Sequence, residues 1–346
     1  MNPSPTRDRA VEIWLLSIVG MIGLMVVVGG ITRLTGSGLS MVEWHPLMGA
    51  LPPMSEAAWT DAFESYQTSP QFLLVNEWMG LEDFKKIFLW EYLHRLCGRV
   101  LGLVFFIPFL WFLKTKRLHG ALARRTFVAF VLGGLQGVLG WYMVKSGLAD
   151  EPNVSHFRLA AHLSLAFVAA LYVLWIWLTL RLKPPAKPDK GATRVLLLLA
   201  VVVSLQIVYG AFMAGLRAGL VFTEFPLING SLLPFSQASG EGFIDTTIWN
   251  PAGVHLVHRA LGWLLLILGP ATAIWARSRA TTPLQLRLCS LLLVTILLQF
   301  TLGAFTILSL IAIPVAVAHQ LGALVLVCIL LATLVSFGLG SPTKNE

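Results

Sequence analysis

Residues 88–113 read FLWEYLHRLCGRVLGLVFFIPFLWFL, and this stretch decides the class of the fold. As a helix it is long enough to cross a hydrocarbon core roughly 30 Å thick, yet its first half carries Glu91, His94, Arg95 and Arg99. Ionisable side chains at such depth are costly, and their default reading is functional. Seven further apolar runs accompany it: Ile13–Ile31, Thr126–Val144, Leu159–Leu180, Val195–Leu216, Val254–Ala276, Leu288–Leu308 and Ile311–Phe337. With 56% hydrophobic and 12% charged residues, the 346-residue chain is far from the roughly 25% charge of soluble domains. The expectation is an all-α integral membrane protein of eight transmembrane helices.

The first run continues into GGITRLTGSGLS (29–40) with no small-residue cleavage site, so it is expected to remain as span one. The opening MNPSPTRDRA lacks the Arg- and Ser-rich stretch of a mitochondrial leader, which leaves a bacterial inner (plasma) membrane as the expected location.

The net charge of +8 raises the question of nucleic acid, and its distribution answers it. With the amino terminus placed inside, the inner segments hold 16 of the 25 basic residues, but only Asp8, Glu12, Asp189 and Glu346 of the 17 acids. That is the positive-inside pattern. The basic charge is a topology signal, both termini are expected to be cytoplasmic, and no nucleic-acid partner is implied. Cys97, Cys289 and Cys328 all fall within spans, which suits small apolar packing residues rather than an extracytoplasmic disulfide.

The chain also repeats itself. WEYLHRLCGR in span two recurs as GVHLVHRALGW in span six, which aligns His94 with His258. QGVLG at Gln136 matches QFTLG at Gln299, His162 matches His319, and Gly38 matches Gly219. Four spans followed by four similar spans, both sets starting inside, make a parallel repeat. Two tandem, pseudo-symmetric four-helix bundles are expected, residues 1–190 and 191–346. The loops after spans one and five are longer than turns require and suit caps. Trp44, Trp59, Tyr66, Trp78, Phe225 and Trp249 in them suit the membrane interface.

Four of the eight histidines, His94, His162, His258 and His319, occupy repeat-equivalent positions near the outer ends of the even-numbered spans. Two imidazoles facing each other at matched depth are what bis-histidine haem ligation needs, giving one haem iron per half on the periplasmic side. A single membrane histidine would as readily be a packing residue or proton relay, but fourfold recurrence beside Gly98, Gly102 and Gly262 favours a flat macrocycle. Zinc would lack further ligands. His45, His119 and His156 are expected to be solvated. Arg95 and Arg259 follow two of the histidines at equivalent positions and are candidate contacts for haem propionates, with snorkelling to the interface as the alternative. The halves differ at one point: Glu91 precedes His94 by three residues, where His255 precedes His258. A carboxyl there is a candidate proton exchanger, which marks the first half as the reaction chamber and the second as holder of a redox cofactor.

GGITRLTGSGLSMVEW (29–44), LPPMSEAAWTDAFESYQTSPQF (51–72), FKKIFLWEYLHRLCGR (84–99), GGLQGVLGWYMVKSGL (133–148), RLAAHLSLA (158–166), GAFMAGLRAG (210–219) and AHQLGA (318–323) resemble the haem A synthases of bacteria and mitochondria, over nearly the whole chain. The branch with a cysteine pair in its outer loops is not the one resembled. The resemblance implies oxidation of the C8 methyl group of haem O to a formyl group, by two hydroxylations and loss of water, supplying haem A to terminal oxidases. It implies His94 and His162 as ligands of the substrate haem, Glu91 as a catalytic contributor, and His258 and His319 as ligands of a resident haem b. Haem O synthase (the farnesyltransferase) and an electron acceptor are implied partners beside the lipid bilayer, and a homo-oligomer is compatible. The region around Asn250–His255 departs from the family's motif, which leaves the role of His255 open. A quinol-linked b-type cytochrome without substrate chemistry would use the same histidines. A transporter with parallel repeats would instead place its polar residues at the midplane.

Overall fold

The computed structural model describes residues 8–42, 51–148, 152–228, 230–231 and 242–340. Among them, eight helices are long and apolar enough to cross a membrane: α1 (Arg9–Leu34), α3 (Leu81–Lys114), α4 (Gly120–Gly147), α5 (His156–Arg181), α6 (Lys190–Gly215), α9 (Pro251–Ser278), α10 (Pro283–Leu308) and α11 (Ile313–Phe337). The protein is a multi-pass membrane protein. Short helices α2 (Glu56–Gln67), α7 (Ala218–Val221) and α8 (Phe243–Ile248), and a π-helical turn at Phe72–Asn76, lie in the connections.

Most spans extend beyond their apolar runs because polar caps carry the backbone past the hydrocarbon-facing stretch. Asp8 accepts hydrogen bonds from the N–H groups of Ala10 and Val11, Asp189 from Ala192, and Asn250 from Ala252 and Gly253. Thr282 and Gln285 form a reciprocal capping box. Helix α3 begins well ahead of Phe88, with Lys85 paired to Glu82 and Lys86 to Asp83 one turn apart.

Within α3, Pro108 has no N–H to give the carbonyl of Val104. The indole N–H of Trp14 on α1 donates to that oxygen instead, at 3.0 Å. The same indole packs on Phe105 and Phe112, so the defect in one helix is closed by its neighbour.

Helix α1 packs on α3, α5 and α11; α5 also packs on α4 and α6; α9 lies against α6 and α10; and α11 touches α10, α6 and α5. One difference between the two sets of four concerns a seam. Helices α9 and α10 pack along much of their length, whereas α3 and α4 touch only briefly. Ile296 fills the α9–α10 seam over Gly269, and Trp263 meets Phe300 with ring centroids 4.9 Å apart. On α4, the positions that align with Ile296 and Phe300 are Gly133 and Gly137, and a Cβ at either would meet nothing within 4 Å.

At the end of the bundle where α1 begins, Asp8 pairs with Arg117, Glu12 with Arg181 and Asp189 with Arg279. These acids and arginines all belong to the group that the charge distribution assigns to one side.

Candidate functional site: four histidine seats

Each of the four histidines rests on a glycine of the preceding long helix. A Cβ added at Gly29 would stand 2.9 Å from His94 Cε1; at Gly140, 3.0 Å from His162 Cε1; at Gly210, 3.1 Å from His258 Cε1; and at Gly303, 2.9 Å from His319 Cε1. At Gly29 and Gly303 such distances are shorter than a Cβ contact allows, and at Gly140 and Gly210 they are tight enough that the ring would have to give by a few tenths of an ångström, so glycine lets the ring lie this close. All four rings offer the same edge to the same kind of seat, which makes the arrangement a repeated device rather than four packing accidents. His94 is within electrostatic reach of His162, and His258 of His319, so the pairing runs α3 with α5 and α9 with α11.

One turn before the glycine stands a glutamine in three of the four helices. Gln136 Nε2 lies 3.2 Å from His162 Nδ1 and donates to the His162 carbonyl at 3.0 Å. Gln299 does the same at His319, at 3.2 and 2.9 Å. Gln206 Nε2 is 3.3 Å from His258 Nε2. The sequence signal is glutamine, three residues, glycine: QGVLG, QIVYG and QFTLG. The first and last were legible as a matched pair, but the middle one was missed because its neighbours do not resemble theirs.

The residues fit a flat iron macrocycle. The histidines come in two pairs within electrostatic reach, Nδ1 of His94 and of His258 is buried without a partner, and a Cβ at Gly102 would meet nothing within 4 Å. A Cβ at Gly98 would approach only Met25, at 3.7 Å. Among the described residues, no group of three or more His, Cys, Asp or Glu is placed to hold a bare metal ion.

Glu91 is buried in a closed network. Ser40 Oγ donates to Glu91 Oε2 at 2.8 Å, the Met41 N–H donates to the same oxygen at 2.9 Å, and Arg95 Nη2 donates to Oε1 at 2.6 Å. Arg95 also donates to the Met41 carbonyl at 3.0 Å. The second set mirrors this with different chemistry. Arg259 Nε donates to His255 Nε2 at 3.0 Å, and its other nitrogens donate to the carbonyls of Pro226, Leu227 and Glu224. Both arginines therefore clasp the segment that follows α1 or α7, one turn along the helix from Glu91 or His255. This explains why His255 is fully buried: it orients an arginine rather than facing solvent.

A cavity of about 200 Å³ opens beside Arg95, lined also by Met41, Val42, Trp141, Val144, Lys145 and Leu148. Lys145, one turn past Trp141 on α4, is a cationic lining residue that the sequence reading did not single out. A larger groove of about 630 Å³ between α1, α5 and α11 is lined by apolar side chains such as Val19, Leu174 and Leu324, with no histidine among them.

A family model for cytochrome oxidase assembly proteins matches residues 12–331. The chain belongs to this family. Among its relatives in the family, a protein of Nitrosospira multiformis named heme A synthase is 45% identical over 92% of this chain and 91% of its own length. Proteins of the same name from a Bradyrhizobium species and from Rhodospirillum centenum are each 43% identical, over 92% and 96% of this chain and 88% and 89% of their own.

The remaining histidines of this family member divide. His119 is exposed, as expected, with Nδ1 3.1 Å from the Lys116 carbonyl. His156 is not solvated as expected. It is buried at the start of α5 among Phe157, Phe212 and Trp249, because Gly215 on α6 lets the helices close over it. His45 and Trp44 lie outside the described residues. Tyr66, grouped with the interfacial aromatics, is buried and takes a hydrogen bond from Asn76 at 2.7 Å. Burial pushes its phenol pKa up. The three cysteines are free thiols.

Proposed function

We propose that the protein is a haem A synthase, oxidising the C8 methyl group of haem O to a formyl group. The observation that carries this is the pair of paired histidine seats in a chain whose relatives bear that name. In this reading residues 1–190 form the substrate half, with His94 and His162 holding haem O. Residues 191–346 form the cofactor half, with His258 and His319 holding haem b, which supplies one-electron acceptance when bound.

The difference between the two sets of helices supports that division. A resident group is best kept by a closed seam, and α9 and α10 close theirs with Ile296, Trp263 and Phe300. A substrate must enter and leave, and the glycine-lined α3–α4 seam leaves room for a flat molecule. The cavity beside Arg95 and Lys145 suits the propionates of the substrate haem. For Arg95 and Arg259 the propionate role thus stands beside a second one, holding the connecting segments over the histidine ends.

Two hydroxylations of the methyl group give a geminal diol, which loses water to leave the aldehyde. Each hydroxylation with water as oxygen donor releases two electrons and two protons. In this reading Glu91 manages those protons, which its hydrogen bonds from the Ser40 hydroxyl and the Arg95 guanidinium support. Haem b, if held by His258 and His319, would offer a one-electron acceptor for the electrons, and haem O synthase is the partner that supplies substrate. The direct test is expression in cells that make haem O but no haem A. Appearance of haem A is the expected result, and haem O unchanged would overturn the reading.

A further inference from the structure

Three of the four histidines have a glutamine one turn from their seating glycine; the fourth has Met25, in MVVVG (25–29). The two side chains occupy the same place. A Cβ at Gly98, one turn past His94, would stand 3.7 Å from Met25 Cε, and a Cβ at Gly262, one turn past His258, 3.5 Å from Gln206 Nε2. Packing is kept while the polar function is lost.

The lost function concerns the ring. At His162 and His319 the amide holds both a ring nitrogen and the backbone carbonyl of the histidine. Each glutamine also keeps a buried Oε1 without a partner, and with the amide turned over this oxygen, in place of Nε2, would accept from the N–H of an iron-bound imidazole. Such hydrogen bonds fix ring orientation and raise ligand basicity, and losing one costs roughly 10–100-fold in metal affinity. A thioether does neither. Among the described residues His94 has no hydrogen bond to its ring, and its Nδ1 is buried and unpartnered.

We propose that Met25 makes His94 the displaceable axial ligand of the substrate haem, so that the iron in the first half opens a coordination position while the iron in the second does not. The inference rests on the reading that the first half holds substrate haem. It assigns the weak side of that haem to α3 rather than α5.

Carbon monoxide is the probe, because it replaces a loosely held imidazole on ferrous iron: the iron–nitrogen bond to His94 breaks, an iron–carbon bond forms, and no electron moves. The full-length protein, purified with its haems and reduced, is expected to bind carbon monoxide at one of two haems. Met25→Gln should slow that binding at least tenfold, Met25→Leu should leave it unchanged, and Gln206→Met should open the second site to the same ligand. His94→Ala and His162→Ala, measured for haem content, test the underlying reading separately. Normal haem content in both would overturn the substrate-haem assignment and the inference with it. Loss of that haem in both, together with carbon monoxide binding at the wild-type rate in Met25→Gln or none at the second site in Gln206→Met, would overturn the inference alone.

Discussion

His94 lies against Gly29 so closely that a Cβ on the glycine would stand 2.9 Å from the ring. The same relationship recurs at the three other seats, so its consequences separate by half. Gly210→Ala or Gly303→Ala should displace the ring of His258 or His319 by a few tenths of an ångström and weaken the resident haem at least tenfold. Gly29→Ala or Gly140→Ala should do so for the substrate haem only. Haem-to-protein ratios by quantitative absorbance check this, and loss of both haems from any one variant would contradict it.

The network around Glu91 makes a second prediction. Glu91→Gln keeps a side chain of the same shape but removes the charge that Arg95 meets at 2.6 Å. Haem content should stay unchanged while conversion of haem O slows by about a hundredfold, the order expected for a lost acid–base group. Full turnover by this variant would remove Glu91 from the mechanism.

Oxygen from water is the third. If haem O is oxidised by electron removal and hydration, label from H₂¹⁸O should enter the hydroxymethyl intermediate, as read by mass spectrometry of extracted haems. Label arriving from ¹⁸O₂ instead would reject the route drawn through Glu91.

Trp14 and Val104 give a test of the fold that leaves the haem sites untouched. Trp14→Phe retains an aromatic ring against Phe105 and Phe112 but abandons a carbonyl already deprived of its helical partner by Pro108. Leaving that buried acceptor unpaired should cost about 1–3 kcal/mol, measurable as reduced thermal stability in detergent. An unchanged midpoint would show that water or lipid satisfies the carbonyl.

At the opposite end from the histidines, the Arg279 guanidinium and then the Ala192 N–H hold the Asp189 carboxyl below the usual carboxylate range. A lowered native value means that the contribution is present above the unfolded value of about 3.9 and lost as pH falls through the native one. Asp189→Ala should therefore destabilise at neutral pH by about 1 kcal/mol, largely through the lost cap on α6, since an exposed ion pair adds little. The charge-dependent part of the difference from wild type should fade as pH drops through the lowered native value. A difference undiminished below that value would assign the effect to packing.

Much of this was legible in the sequence because the bilayer simplifies reading. Long apolar runs announced all eight spans, and His94, His162, His258 and His319 stood out because polar residues are rare at that depth. The seats were not legible, since glycine is common in membrane helices and only the geometry shows that Gly29, Gly140, Gly210 and Gly303 each carry a ring. Nor could sequence tell that Arg95 and Arg259 grip loop carbonyls, because those partners are backbone atoms that any residue provides. His156 misled for a related reason: its place at a helix start suggested solvent, while tertiary contact with Trp249 and Gly215 decided otherwise.

The central claim, one substrate site and one cofactor site, is tested most directly by extracting the haems from wild type, His94→Ala and His258→Ala purified from cells that make haem O. The account predicts haem b with haem O, its hydroxylated forms or haem A in wild type, only haem b in His94→Ala, and selective loss of haem b in His258→Ala. Haem b alone in wild type, halved equally by either substitution, would contradict it and make the protein an electron carrier.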